Sequence, residues 1–175
     1  MAWTSPRTWV SGELVTAAIM NTHVRDELNY LYSVQAACHA YNAANQGVTA
    51  SAALTFDSED YDVGGLHSTS SNTSRMTIPS GAAGSYLLTT QFRVSALGTS
   101  TATVFFRKNG TTALHDGLLV YQVANVLHNI VLPGVALVVG DYVEIYVTKG
   151  DASNWDFGTA TNGARTQFGC LRVGG

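Results

Sequence analysis

The densest group of side chains able to do chemistry is the acidic segment from Asp57 to Asp62, which reads Asp-Ser-Glu-Asp-Tyr-Asp. Its four carboxylates could supply oxygen ligands to Ca²⁺, which takes about six to eight of them, although their spacing does not fit an EF-hand loop. A glycosidase pair needs two carboxyl groups about 5–10 Å apart across a sugar cleft, and the sequence has no second acidic cluster to face this one. We therefore expect a solvated acidic loop, with a calcium site as the open alternative.

The histidines and cysteines form no catalytic or metal-binding pattern. The histidines are not paired at metal-ligand spacing, and no nucleophile elbow, phosphate loop or dinucleotide glycine pattern is present. Cys38 and Cys170 lie far apart in the chain, and we interpret them as buried small apolar residues rather than as a disulfide. We therefore predict no enzyme activity, no catalytic residue, no cofactor and no metal ion. The histidines are His23, His39, His67, His115 and His128.

Composition limits the classes of partner. Charged residues make up 12% of the chain and hydrophobic residues 46%, with a mean hydropathy of +0.09. The net charge is −3 and the basic residues are scattered, so we expect no nucleic-acid binding. No apolar run reaches the roughly 18 residues of a membrane span, and we expect no export signal, because no basic segment followed by an apolar stretch opens the sequence.

The elements that would position functional residues fall into two regions with different sequence patterns. Trp3 and Trp9 lie on an irregular arm, and Thr16 is placed to cap a helix reaching about Val34. Apolar residues recur along this helix at a spacing of three or four, interrupted at Glu27 with Leu28 beside it, which indicates an amphipathic stripe. The recurring residues are Ala17, Met20, Val24, Leu31 and Val34. This stripe packs either on its own domain or on partner subunits, and the sequence leaves both open.

From about Ala40 the periodicity changes from helical to period two, and Ser, Thr and Gly become frequent. Asn109-Gly110 predicts a hairpin turn, and Pro133-Gly134 and Gly140-Asp141 are expected to break the chain between strands. About eight short strands without an intervening helix indicate a sandwich or jelly roll. The candidate strands are 47–56, 75–78, 85–94, 101–108, 118–131, 135–139, 142–148 and 166–173.

Four segments resemble motifs of the jelly-roll heads of complement and tumour-necrosis-factor type. They are the strand entry Ile-Pro-Ser-Gly-Ala-Ala-Gly-Ser-Tyr-Leu-Leu (78–88), the hairpin Phe-Phe-Arg-Lys-Asn-Gly-Thr (105–111), the Leu-Val-Val-Gly-Asp-Tyr-Val-Glu-Ile element (137–145) and the closing Phe-Gly-Cys-Leu (168–171). The resemblance implies a mainly β chain with a single jelly-roll β-sandwich, preceded by the arm and one short α-helix. It also implies a homotrimer, although no collagen-like stalk is present.

A second resemblance covers residues 8–26, Thr-Trp-Val-Ser-Gly-Glu-Leu-Val-Thr-Ala-Ala-Ile-Met-Asn-Thr-His-Val-Arg-Asp. This segment is similar to a leader found on many tailed-bacteriophage virion proteins, and that similarity implies attachment to the particle. The expected organisation is an attachment region at 1–40 and a jelly-roll trimerisation domain at 41–175. The expected attachment residues are Trp3, Trp9, Met20, Val24, Leu28 and Leu31.

Together these resemblances imply a non-enzymatic structural protein of the virion, assembled in the host cytoplasm, which decorates the capsid or forms a short head or tail fibre. Its partners would be its own copies and other virion proteins of the capsid or tail, with no nucleic acid and no membrane. The alternative is a tail receptor-binding module for a host glycan or surface protein. Trp155 in segment 153–157 is then a candidate sugar contact, although packing of this tryptophan beneath its own loop is the favoured interpretation. A glycan-cleaving enzyme has no supporting motif.

Overall fold

The computed structural model describes residues 7–33, 36–96, 101–120, 126–158 and 165–174, with the backbone alone at 30–33, 95, 96 and 119. The chain divides into two compact units, Met1–Gln35 and Ala36–Gly175. Val34 and Trp3 lie outside the described residues. The expected boundary at residues 40 and 41 falls inside a strand, because residues 37–41 already pair with the β-sheet.

The first unit is helical, and Thr16 caps its helix as predicted: its Oγ1 accepts a hydrogen bond from the N–H of Ile19 at 3.3 Å. Helix α1 (Ala17–Met20) runs into a π-helical turn (Asn21–Arg25) and then into α2 (Asp26–Ser33). The sequence pattern did not reveal this π-turn, which shifts the phase of the apolar side chains along the helix. None of the helices within residues 7–33 is long and apolar enough to cross a membrane.

The second unit is a two-layered antiparallel β-structure. One sheet has 7 strands: β2, β12, β6, β13, β1 and β4 lie side by side in that order, and β10 also pairs with β6. The other sheet has 6 strands: β3, β11, β7 and β8 lie in that order, β5 pairs with β11, and β9 pairs with β7. The described strands are β1 (Ala37–Tyr41), β2 (Gln46–Val48), β3 (Ala52–Ala53), β4 (Ser58–Val63), β5 (Arg75–Thr77), β6 (Gly84–Ala96), β7 (Ala102–Lys108), β8 (Thr112–Ala113), β9 (Leu118–Val120), β10 (Leu127–Leu137), β11 (Tyr142–Lys149), β12 (Trp155–Phe157) and β13 (Gln167–Gly174).

The core lies between the two sheets. Alternate residues of β1, β7 and β13 are buried, as expected for sheets with one buried face. Phe106 of the smaller sheet meets Phe168 of the larger one with ring centroids 5.8 Å apart, and Phe168 in turn lies 5.7 Å from Phe56. These contacts confirm the predicted β-sandwich.

Several predicted strand limits were wrong. Pro133-Gly134 does not end a strand, because β10 continues through it with a shift of register against β6. The candidate strand at 47–56 divides into β2 and β3. The predicted break at Gly140-Asp141 is confirmed, since the chain turns there between β10 and β11.

The Asn109-Gly110 hairpin is confirmed. The two residues have φ of 51° and 72°, the left-handed conformation that this turn requires. The side-chain Oδ1 of Asn109 accepts a hydrogen bond from the N–H of Tyr142 at 2.9 Å, and its Nδ2 donates to Asp141 Oδ1 at 2.7 Å. The β7–β8 hairpin is therefore tied to the turn that precedes β11.

Asp141 is the centre of this connection. Its Oδ2 accepts from the N–H of Val138 at 2.9 Å and forms an ion pair with Lys108 Nζ at 2.6 Å, while the side chain is only 9% exposed. Burial by itself would raise the pKa of Asp141, but the hydrogen bonds from Lys108, Val138 and Asn109 and the charge of Lys108 together lower it to about 2.

Candidate assembly surfaces

The acidic segment is not a solvated loop, which corrects the expectation from the sequence. Most of it forms strand β4, paired with β1. Asp57 precedes the strand and accepts hydrogen bonds from the N–H of Ala43 and the hydroxyl of Ser58, both at 2.9 Å. Asp60 contacts His39 Nδ1 at 2.8 Å.

The other two carboxylates of the segment support a loop that follows β4. Asp62 accepts from the N–H groups of Leu66 and His67 at 2.9 and 3.1 Å, and Glu59 contacts the ring of His67 at 2.7 Å. All four carboxylates therefore have protein partners. Among the described residues, no three His, Cys, Asp or Glu side chains come together in a group that could hold a metal ion, so the calcium alternative gains no support.

Cys38 and Cys170 lie directly opposite each other on β1 and β13, and both are buried free thiols. Burial raises the pKa of Cys38, and it raises the pKa of Cys170 to about 12. Both groups are thus thiols rather than reactive thiolates at neutral pH. That the two cysteines lie opposite each other on neighbouring strands was not visible in the sequence, because most of the chain separates them.

The expected attachment residues of the first unit are partly solvent-exposed. Trp9, Met20 and Leu28 are exposed and Val24 is half-buried. The guanidinium of Arg7 lies 5.5 Å from the ring centroid of Trp9. Trp3 lies outside the described residues, and Leu31 lies on α2 with only its backbone described. Their exposure leaves these side chains available for contact with a partner.

The sandwich carries a second exposed apolar surface, on the outer face of the larger sheet. The register places Val63 of β4, Ala37 of β1, Leu171 of β13 and Leu87 of β6 in one row across four strands. Val63 is 48% exposed and Leu171 43%. Phe168 and Cys170 of β13 point inward and are buried, so the exposure of Leu171 follows from the alternation of the strand.

A second row lies beside the first and contains Tyr61, His39, Gly169, Thr89 and Val131. The rings of His39 and Tyr61 stack with centroids 6.0 Å apart, and Val131 is 61% exposed. A Cβ at Gly169 would collide with the hydroxyl of Thr89, so glycine is needed for this close packing. We call these two rows the apolar face.

One border of the apolar face is polar. Gln91 of β6 lies opposite Gln167 of β13 and donates to the side chain of Asn129 on β10 at 3.0 Å. The guanidinium of Arg165 lies 4.1 Å from the ring of Tyr41. An apolar centre beside amide and arginine groups is the pattern of a protein–protein interface with a polar rim. Sequence reasoning did not single out this face. The available signal was the alternation along residues 168–173, in which Leu171 and Val173 fall on the face opposite to Phe168 and Cys170.

Trp155 is buried rather than exposed to a ligand. It lies on β12, between β2 and β6, and its side chain is fully buried together with Phe157. The sugar contact at this residue is therefore wrong and the packed alternative is correct, because pairing of β12 with two strands turns the indole into the core. The receptor-binding alternative loses the residue that motivated it.

No protein-family model matches the sequence, and no curated protein matches it significantly. Solved structures do match. The globular domain of zebrafish complement 1qA has a TM-score of 0.54 at 15% identity, covering 79% of this chain and 97% of that one. Murine APRIL has 0.53 at 14%, covering 79% and 99%, and Eiger TNF from S. frugiperda has 0.50 at 13%, covering 79% and 92%. At such identities the likeness shows the fold alone, and it confirms the predicted jelly roll of complement and tumour-necrosis-factor type.

Proposed function

We propose that this chain is a non-enzymatic structural protein of a tailed-bacteriophage particle, in which three copies assemble through their jelly rolls and decorate the capsid or form a short fibre. The observation that carries the proposal is the resemblance of residues 8–26 to a phage virion leader, joined to a jelly-roll domain. The engaged carboxylates of β4 and the high pKa values of both cysteines also argue against a catalytic centre at these residues.

The apolar face supports the assembly step. It presents Val63, Leu171, Tyr61 and Val131 on one side of the larger sheet. In a single copy this apolar area is exposed to water, and contact with another copy would bury it. Burial of such area contributes about 25 cal/mol for each Å² removed from water. The chain also carries few charges, which reduces repulsion between copies. We therefore assign the apolar face to contacts between subunits.

A charge placed in the centre of the apolar face tests this assignment. Leu171→Arg should convert the trimer to monomers in light scattering at micromolar concentration, because the guanidinium would be buried without a partner. Val138→Arg is the control, since Val138 is also an exposed apolar residue but lies on the β10–β11 turn. If the wild type is a monomer, or if both variants behave alike, the assignment fails.

The exposed side chains of the first unit support the attachment step. Aromatic anchors often contribute at least about 2 kcal/mol each to a buried interface, and three arms on one trimer would strengthen a weak contact through effective concentration. Trp9→Ala combined with Leu28→Ala should leave the melting of the β-sandwich nearly unchanged and sharply weaken binding to particles that lack the protein. Full occupancy of those particles by the double variant would exclude this surface as the anchor.

Labelled antibody against the chain, applied to purified phage particles that encode it, tests the location. We expect regular labelling of the head or of a fibre, and absence of the protein from purified particles would contradict the proposal. Incubation with bacterial polysaccharides should release no reducing sugar. Release that is abolished by Glu59→Gln or Asp60→Asn would show an enzyme instead.

A further inference from the structure

The loop between β4 and β5 lines a solvent-open cavity of about 170 Å³ that neither assembly surface uses. This volume equals about five or six water molecules at roughly 30 Å³ each. It is smaller than the ~300 Å³ at which pockets for drug-sized ligands begin. The cavity is therefore of the size for one small polar molecule. Its lining includes Leu66, His67, Ser68, Ser71, Asn72 and Arg75.

Hydrogen bonds to the backbone fix the shape of this loop. The carboxylate of Asp62 accepts hydrogen bonds from the N–H groups of Leu66 and His67. The carbonyl of Leu66 accepts a hydrogen bond from the N–H of Thr77 at 2.7 Å. The N–H of Arg75 donates to the carbonyl of Asn72 at 3.1 Å, where Asn72 has a φ of 53°. The cavity is thus formed before any ligand arrives, which lowers the entropic cost of binding.

His67 acts as a wall of the cavity. Its side chain is fully buried, and its two ring nitrogens lie 2.7 Å from Glu59 Oε1 and 3.0 Å from the carbonyl oxygen of Thr73. Both nitrogens are therefore occupied, and the carboxylate of Glu59 already has a partner. No carboxylate is among the residues that line the cavity, so nothing acidic within its lining repels an anion.

Arg75 supplies the positive charge in the lining of the cavity. Its guanidinium stacks on the ring of Tyr142 at 4.5 Å, and within the described part of the chain its buried Nε has no hydrogen-bond acceptor. Glu144, which lies opposite Arg75 on β11, is engaged by Arg107 at 2.9 Å. Because Glu144 is engaged by Arg107, no ion pair within the described residues neutralises Arg75, and its charge favours an anionic ligand.

We propose that this cavity binds an acidic monosaccharide, whose carboxylate pairs with Arg75. Arginine recognises carboxylates through two parallel hydrogen bonds, which favours a planar carboxylate. The hydroxyls of Ser68 and Ser71 and the amide of Asn72 are suited to the hydroxyl groups of a sugar. A structural protein of the particle needs no such site, so this inference goes beyond the proposed function and is independent of it.

Saturation-transfer NMR on the full chain tests the site with glucuronic acid and N-acetylneuraminic acid as probes. Glucose, acetate and inorganic phosphate serve as the comparison ligands. We expect saturable binding of at least one acidic sugar with a Kd on the order of 1 mM, and at least tenfold weaker binding of all three comparison ligands. Equal binding of glucose, acetate or phosphate, or no binding of either acidic sugar, would overturn the proposal.

Three variants locate the binding. Arg75→Gln should weaken binding of the acidic sugar at least tenfold, whereas Arg25→Gln, the same change on the exposed face of the helical unit, should leave it unaltered. Ser71→Tyr adds bulk at an exposed position of the lining without touching the core, and it should also abolish binding. Ser71→Tyr decides the question if Arg75→Gln does not fold. Unaltered binding by Ser71→Tyr would refute the site.

Discussion

Replacing Asp141 by Asn tests whether a single charged side chain ties the β7–β8 hairpin to the β10–β11 turn. The carboxylate accepts hydrogen bonds from Asn109, Val138 and Lys108, at 2.7, 2.9 and 2.6 Å. Asparagine has about the same shape but offers a single acceptor oxygen and no charge, so the variant loses the ion pair with Lys108 while the turn can still form.

The magnitude follows from the proton affinity of the carboxyl group. The pKa of Asp141 falls from an ordinary 3.8 to about 2 in the folded protein. Each tenfold change in an equilibrium constant corresponds to about 1.4 kcal/mol, so the charged carboxylate contributes about 2 kcal/mol to the free energy of unfolding at neutral pH. Because the folded pKa is the lower one, this contribution is complete above the unfolded pKa and disappears as the pH falls from about 5 to about 2.

The assay is denaturant unfolding of wild type and Asp141→Asn at several pH values and one protein concentration. The variant should be about 2 kcal/mol less stable than wild type at pH 7, and the two curves should converge near pH 2. Asp26→Asn in the helical unit is the control and should follow the wild-type pH dependence of the sandwich. If the Asp141→Asn curve runs parallel to wild type down to pH 2, the reasoning is refuted.

Three further outcomes are expected. Gly110→Ala should lower stability by about 1–3 kcal/mol, because φ is 72° there and the added Cβ would lie 2.8 Å from Tyr142 Oη; an unchanged melting temperature would contradict this. Cys38 and Cys170 should react with iodoacetamide at neutral pH only after unfolding, since both are buried with raised pKa values; rapid labelling of the folded protein, followed by mass spectrometry, would refute it. Burial lowers the pKa of His115, so the folded state resists its protonation and stability should fall as the pH drops through about 6.5; the pH dependence should be weaker in His115→Gln, and an identical one would count against this role.

Local chemistry made part of this protein predictable from its sequence. The Asn109-Gly110 turn needs a backbone conformation that few residues adopt, so two neighbouring residues determined it. Thr16 could likewise be assigned as a helix cap, because the cap bonds a backbone group three residues away. The change from helical to period-two patterning separated the helical unit from the strands, and four short motifs in order indicated the jelly roll.

Pairings between distant residues decided the rest. From the sequence, the carboxylates of residues 57–62 predicted a solvated loop. In the structure, the register of β4 against β1 places His39 next to Asp60. Trp155 is buried because β12 pairs with two strands that lie far from it in the sequence. The row that joins Val63, Leu171 and Leu87 likewise depends on the register of four strands. Alternation shows which residues of one strand share a face, but only tertiary pairing decides which strands lie side by side, because those contacts join segments separated by most of the chain.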